Sequence, residues 1–154
     1  METINSLQMN EIFFDRWVET IRSYYAFILD MYLKLYKKYD QLKAESKDDK
    51  LKMRIYKSDV PFYDENGKIN WEIIRQLIPL NVEKDLNDEF ACLNNNERRL
   101  CCLLFFKVQN KTISQILPYR TNSIYPTKRR IRQKTNAKDL NDIFRWIAWK
   151  CLSK

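Results

Sequence analysis

At 154 residues the chain has room for one ordinary domain, or for a small domain with an extended helical arm. Apolar residues make up 45%, enough to bury a core and to exclude global disorder, while one Gly and four Pro exclude a many-stranded β fold, which needs turn residues at each hairpin. The net charge of +8 is unevenly held: residues 1–92 carry 14 Lys/Arg against 17 Asp/Glu, net −3, whereas residues 93–154 carry 14 against 3, net +11, which points to a polyanion-binding C-terminal part.

From about Ile4 to Tyr56 the pattern predicts one long helix, interrupted, if anywhere, near Ser46–Asp49. A heptad with d at Leu7, Phe14, Ile21, Ile28, Leu35 and Leu42 has every d position apolar. Its a positions are Ile4, Glu11, Val18, Tyr25, Tyr32 and Tyr39, and Trp17, Tyr24 and Met31 widen the stripe at g. So wide a stripe suits contact with more than one neighbour. Two dispositions stay open: a dimerisation arm that pairs with a second chain, or a helix folded back on its own domain. Lys43 to Lys52 is expected to be a solvated charged run. Lys57 to Lys68 is expected to be a loop, with Pro61 and the turn Asp64-Glu65-Asn66-Gly67, where Gly suits a positive φ. A short helix follows from an Asn70 cap through Trp71 to Ile78, then a second from Val82 to Phe90. Trp71 is expected in the core. The division is therefore 1–57 arm, 58–91 linker and short helices, and 92–154 a helix-turn-helix module.

Asn94 and Glu97 have the spacing of a reciprocal capping box, which opens a helix with Leu100, Cys101, Leu103, Leu104 and Phe105 as its apolar content. Gln109 to Leu117 is a second short helix, ended by Pro118 because a residue before proline is pushed out of the α region. A third, basic helix spans 122–135, and a last one runs from about Ala137 to Leu152, packing across the first helix of the module. Two short helices with a tight link, the second basic, form the geometry that lays a helix in the major groove of DNA.

The stretch from Leu93 to Thr135 resembles the LuxR/GerE-type helix-turn-helix, related in shape to region 4 of sigma factors. Leu93, Asn94 and Glu97 stand where that family opens with L-T-x-x-E. Leu100, Leu103 and Leu104 stand at its first-helix core positions, Ile113, Ser114 and Leu117 at its I-A…L, Ser123 and Ile124 at its T-V pair, and Ile131 and Lys134 at its I-x-x-K. The chain departs from the family at four places: Lys107 and Pro118 replace glycines, Thr127 replaces a His, and Thr135 replaces a Leu. Pro126 lies either in the distorted first turn of a helix that starts at Ser123, or at the start of a helix one turn shorter. The resemblance implies a transcription regulator of an all-α, four-helix module type.

At roughly 100° per residue, Ile124, Ile131 and Thr135 turn to the core while Arg129 and Gln133 lie opposite, flanked by Tyr125, Arg130 and Arg132. Arg pairs with guanine and Gln with adenine in the major groove. Asn122 and Ser123 at the helix start and Lys134 at its end suit phosphates. The expected partners are double-stranded DNA and a second copy joined through the N-terminal helix, with RNA polymerase a further candidate. The alternative is a non-catalytic interaction protein whose degenerate module binds a transcription-machinery or regulator partner instead of DNA. With no histidine, no Gly-rich phosphate loop and no H-E-x-x-H pattern, no enzyme, cofactor or metal site is expected. Cys101 and Cys102 are expected as buried thiols. The charges within Ile12 to Tyr36 argue against a membrane span, and a cytoplasmic location is expected.

Overall fold

The computed structural model describes the backbone of residues 2–45 and 60–152, and the side chains of residues 12–42, 45, 60–79 and 82–150. The described chain is all-α. A long helix α1 (Glu2–Glu45) is followed by α2 (Trp71–Leu77), α3 (Leu80–Glu89), α4 (Asn95–Phe105), α5 (Asn110–Ile116), α6 (Ile124–Thr135) and α7 (Leu140–Ile147). A 3-10 turn at Thr121–Ser123 leads into α6, and a π turn at Ala148–Leu152 follows α7. The break expected near Ser46–Asp49, the helical stretch to Tyr56 and most of the charged run after Lys43 lie outside the described residues. So do the side chains of Ile4, Leu7, Glu11 and Cys151.

α1 runs for 44 residues without a Gly or Pro. One of its faces lies on its own chain. Val18, Leu29 and Leu33 are buried in the same cluster as Phe62, Ile74, Leu100 and Ile131, and Phe14, Tyr25 and Tyr36 pack against it. Polar contacts hold this face too. The Arg22 guanidinium lies over the rings of Phe105 and Phe144, 4.9 and 5.0 Å from their centroids, and its Nε donates to the Phe105 carbonyl at 2.5 Å. Tyr36 donates to the Val60 carbonyl at 3.0 Å. Lys107 pairs with Glu19. Of the two dispositions left open by the heptad, the chain shows folding back along this face. The other face remains exposed and apolar.

The loop at residues 60–70 brings Tyr63 and Ile69 into an antiparallel bridge around the Asp64–Gly67 turn, where Gly67 has φ +75°. Asn70 caps α2 by accepting from Glu72 N–H at 3.1 Å. Trp71 is buried as expected, with its indole N–H on Glu83 and the Arg99 guanidinium 4.9 Å from its ring. The loop also finishes α5. Helix ends leave carbonyls without donors, and here Lys68 Nζ reaches the Ser114 carbonyl at 2.8 Å while Ile69 N–H takes that of Gln115 at 2.7 Å. The segment before the module is thus a structural part of it.

Candidate nucleic-acid interface

The candidate interface is built from α4, α5 and α6. The capping box forms as its spacing implies: Glu97 N–H donates to Asn94 Oδ1 at 2.8 Å, and Asn94 N–H donates to Glu97 Oε1 at 2.9 Å. α4 presents Leu100, Cys101, Cys102, Leu103 and Phe105 to the core, all buried. Burial, with the nearby Glu97 charge, pushes the Cys101 thiol up to about 12. The helix ends in a left-handed residue, Lys107, with φ 56°. Val108 N–H then reaches back to the Leu103 carbonyl and Lys107 N–H to that of Leu104, both at 3.0 Å. This is the reversal for which glycine is ordinarily used.

α5 buries Ile113 and Ile116, and Leu117 turns extended before Pro118. The chain then makes the 3-10 turn and enters α6 at Ile124. Pro126 is therefore the third residue of the α-helix. The first four N–H groups of a helix have no partner within it, so the proline costs no ladder bond and α6 keeps twelve residues. Thr127, at the position where the resembled family carries His, is buried and donates to the Ser123 carbonyl at 2.8 Å.

Ile124, Thr127 and Ile131 form the buried side of α6, and Thr135 is half-buried. Tyr125, Arg129, Arg130 and Gln133 are exposed, Tyr125 by 70%. Arg132 is half-buried and its Nη1 lies 3.5 Å from the Lys138 carbonyl. Asn122 is exposed in the 3-10 turn and Ser123 is half-buried there. No acidic residue falls within α6. Beside it, Tyr125, Lys128 and Arg132 share a groove of about 440 Å³ with Lys138, Asp139 and Asn141. The sequence reading left out Lys128 and Lys138. The first follows from helical spacing, three residues after Tyr125. The second arrives only through the chain reversal at left-handed Asn136, which no periodicity announces.

Lys134 has a partner inside the protein. Its ammonium donates to Glu97 Oε1 at 2.7 Å. That carboxylate is fully buried, and its Oε2 has no hydrogen-bond partner among the described residues. Burial by itself would raise the Glu97 pKa. The Lys134 bond, the Asn94 N–H and the charges of Lys134 and Arg130 outweigh it and hold the carboxyl below the usual range. One carboxylate thus caps the start of α4 and anchors the end of α6. Among the described residues no group of His, Cys, Asp or Glu could hold a metal ion, and no helix is long and apolar enough to cross a membrane. No protein-family model matches the chain, and neither a curated protein nor a solved structure shows significant similarity to it.

Proposed function

We propose that the protein is a DNA-binding transcription regulator that lays α6 in the major groove. The observation that carries this reading is the amphipathic build of α6. Ile124, Thr127 and Ile131 fix it to the core, while Arg129, Arg130 and Gln133 stand in solvent on a helix without acids. Arg129 and Gln133 would meet base edges, with Tyr125, Arg130 and Arg132 beside them, and Asn122 and Ser123 would approach phosphates. Lys134 would act through its ion pair, holding the end of the reading helix in place. The Glu97–Lys134 contact supports the resemblance to LuxR/GerE-type modules, because it joins two of the positions on which that resemblance rests. The protein would work in the cytoplasm as a homodimer and without catalysis.

Fluorescence anisotropy with duplex DNA tests this. Neutralising six or more phosphates releases counterions, so affinity should fall by about 10³ or more between 50 and 200 mM salt. No duplex binding at low salt, or equal binding by wild type and an Arg129/Arg130/Arg132 triple alanine, would remove the DNA reading. The second reading, a partner protein such as RNA polymerase, is favoured by the exposed Tyr125. That reading would then take its place.

A further inference from the structure

α1 has two apolar faces, and its own module covers one of them. At about 100° per residue, Phe13, Trp17, Tyr24, Phe27, Leu35 and Leu42 fall on a single stripe roughly opposite Val18 and Leu29. All six are exposed, Phe27 by 64%. The stripe continues through Met31 and Tyr39, Thr20 is its one small member, and exposed Lys38 is the one charge on it. From Phe13 to Leu42 it is about 44 Å long at 1.5 Å per residue. Large side chains of this kind present about 150–250 Å² each. Eight of them, somewhat over half exposed on average, leave on the order of 800 Å², more than the largest patch of an ordinary monomer and about what each partner gives to a stable interface.

We infer that this outer face of α1 pairs with the same face of a second copy, antiparallel. The inference rests on the homodimeric part of the reading above and is independent of DNA binding. Charge decides both partner and direction. Residues 2–30 of the helix carry five acids and two bases, whereas residues 31–45 carry four bases and two acids. Some of these charges are already engaged within the protein: Arg22 is turned inward onto Phe105 and Phe144, Glu19 pairs with Lys107, and Asp30 with Lys34, which leaves three acids against one base in the first half and three bases against two acids in the second. An antiparallel pair lays the acidic half of each copy along the basic half of the other. A parallel pair lays like on like, which is destabilising. Centring the stripe on its two-fold axis puts Phe13 beside Leu42, Thr20 beside Leu35 and Tyr24 beside Met31. The pocket left by the small Thr20 would then receive Leu35. Each module lies on the opposite side of its own α1, so the two modules end outside the helix pair and neither obstructs it.

Sedimentation equilibrium of the full chain at micromolar concentration should give about twice 18.8 kDa. The double variant Tyr24→Lys/Phe27→Glu should sediment as a monomer with an unchanged helical circular dichroism spectrum, because both residues are exposed. Direction is read with single cysteines in a Cys92→Ser/Cys151→Ser background. A mixture of Thr20→Cys and Leu35→Cys should cross-link with a short bis-maleimide, and neither alone should do so. Self-linking of Thr20→Cys would overturn the antiparallel pairing. A wild-type monomer, or a dimer that survives Tyr24→Lys/Phe27→Glu, would overturn the interface itself. Duplex binding is measured separately at low salt, where the basic face of α6 is intact in every one of these variants, so loss of pairing and loss of DNA binding are told apart.

Discussion

α1 and α6 are both amphipathic helices with one side in the same core, and they differ in what the other side offers. α6 turns arginines and a glutamine outward behind Ile124, Thr127 and Ile131. α1 turns aromatic and aliphatic side chains outward, while its inner side includes Arg22, Tyr25 and Tyr36. The buried side of each helix explains why it is there. The outward side says what the molecule meets, since a cationic face is at rest in water but an apolar one is not. The arm is the less economical of the two in isolation. It buries a guanidinium against two rings and leaves Phe13 and Phe27 outside. Burial accordingly lowers the Arg22 pKa, although the group remains charged at any ordinary pH.

Substitutions on the two outward faces should separate. The Arg129/Arg130/Arg132 triple alanine removes three cations, each worth about 1–3 kcal/mol if it reads a base, so duplex affinity should drop by about 10³-fold or more at fixed salt. Its sedimentation behaviour should not change. Tyr24→Lys/Phe27→Glu should do the reverse at the level of assembly and leave each module's own contact with DNA in place. If the triple alanine also dissociated the dimer, the division of labour between the helices would be wrong.

The next largest effect is expected behind the basic face of α6. Lys134→Ala leaves the buried Glu97 carboxylate without its cation. Breaking a buried pair by removing one partner costs about 3–5 kcal/mol, and because the lysine is partly exposed the expected loss here is about 3 kcal/mol by urea unfolding. In a Glu97→Gln background the same substitution should cost much less, which makes the double-mutant cycle decisive. Acid should act on the same contact. The Glu97 and Glu83 carboxyls are held below the usual range in the fold, Glu83 because bonds from Arg75 and Trp71 outweigh its burial. Their contribution is complete above the unfolded value of about 4.3 and is lost as pH falls through the folded values. Stability should therefore decline below about pH 4.3, and less steeply in Glu97→Gln.

Much of the module was legible because its signals are local. The Asn70 cap, the Asn94–Glu97 box, the stop at Pro118 and the inward set Ile124 and Ile131 each depend on a few consecutive residues, and each is found in place. Contacts between elements were not legible in the same way. Nothing in the spacing pairs Lys134 with Glu97, which lies thirty-seven residues earlier. Nothing marks Lys68 and Ile69 as the cap of α5. The heptad on α1 mixed two faces because both are apolar. Phe14 and Val18 pack inward while Leu35 and Leu42 point out, and a single seam cannot hold them all.

Arg22 ties the arm to the module through both its charge and its stem. Arg22→Ala removes a charge-assisted bond to the Phe105 carbonyl and two ring contacts, and should destabilise by about 2 kcal/mol. Arg22→Met keeps the apolar stem and should cost about half as much. Equal losses for the two variants would show that packing of the stem is irrelevant.

The smallest effect should be a gain. Lys107 holds a left-handed backbone at the end of α4, where a side chain brings Cβ close to the following carbonyl and costs about 1–2 kcal/mol that glycine avoids. The turn itself is locked by the N–H groups of Lys107 and Val108, which glycine keeps. What Lys107 adds is an ion pair with Glu19 across the gap to α1, a contact in which both partners are partly exposed. Such pairs are worth about 0–1 kcal/mol. Strain relief and the lost pair therefore oppose each other, and two variants separate them. Lys107→Ala loses the pair and keeps the strain, so it should destabilise by a few tenths of a kcal/mol, about the worth of an exposed pair. Lys107→Gly loses the pair and sheds the strain, so it should exceed Lys107→Ala by about 1 kcal/mol in urea unfolding. If the glycine variant were the less stable of the two, the backbone at 107 would be seated without strain, whereas a loss in Lys107→Ala well above a few tenths of a kcal/mol would make its contact with Glu19 a stronger tie between arm and module than exposure allows.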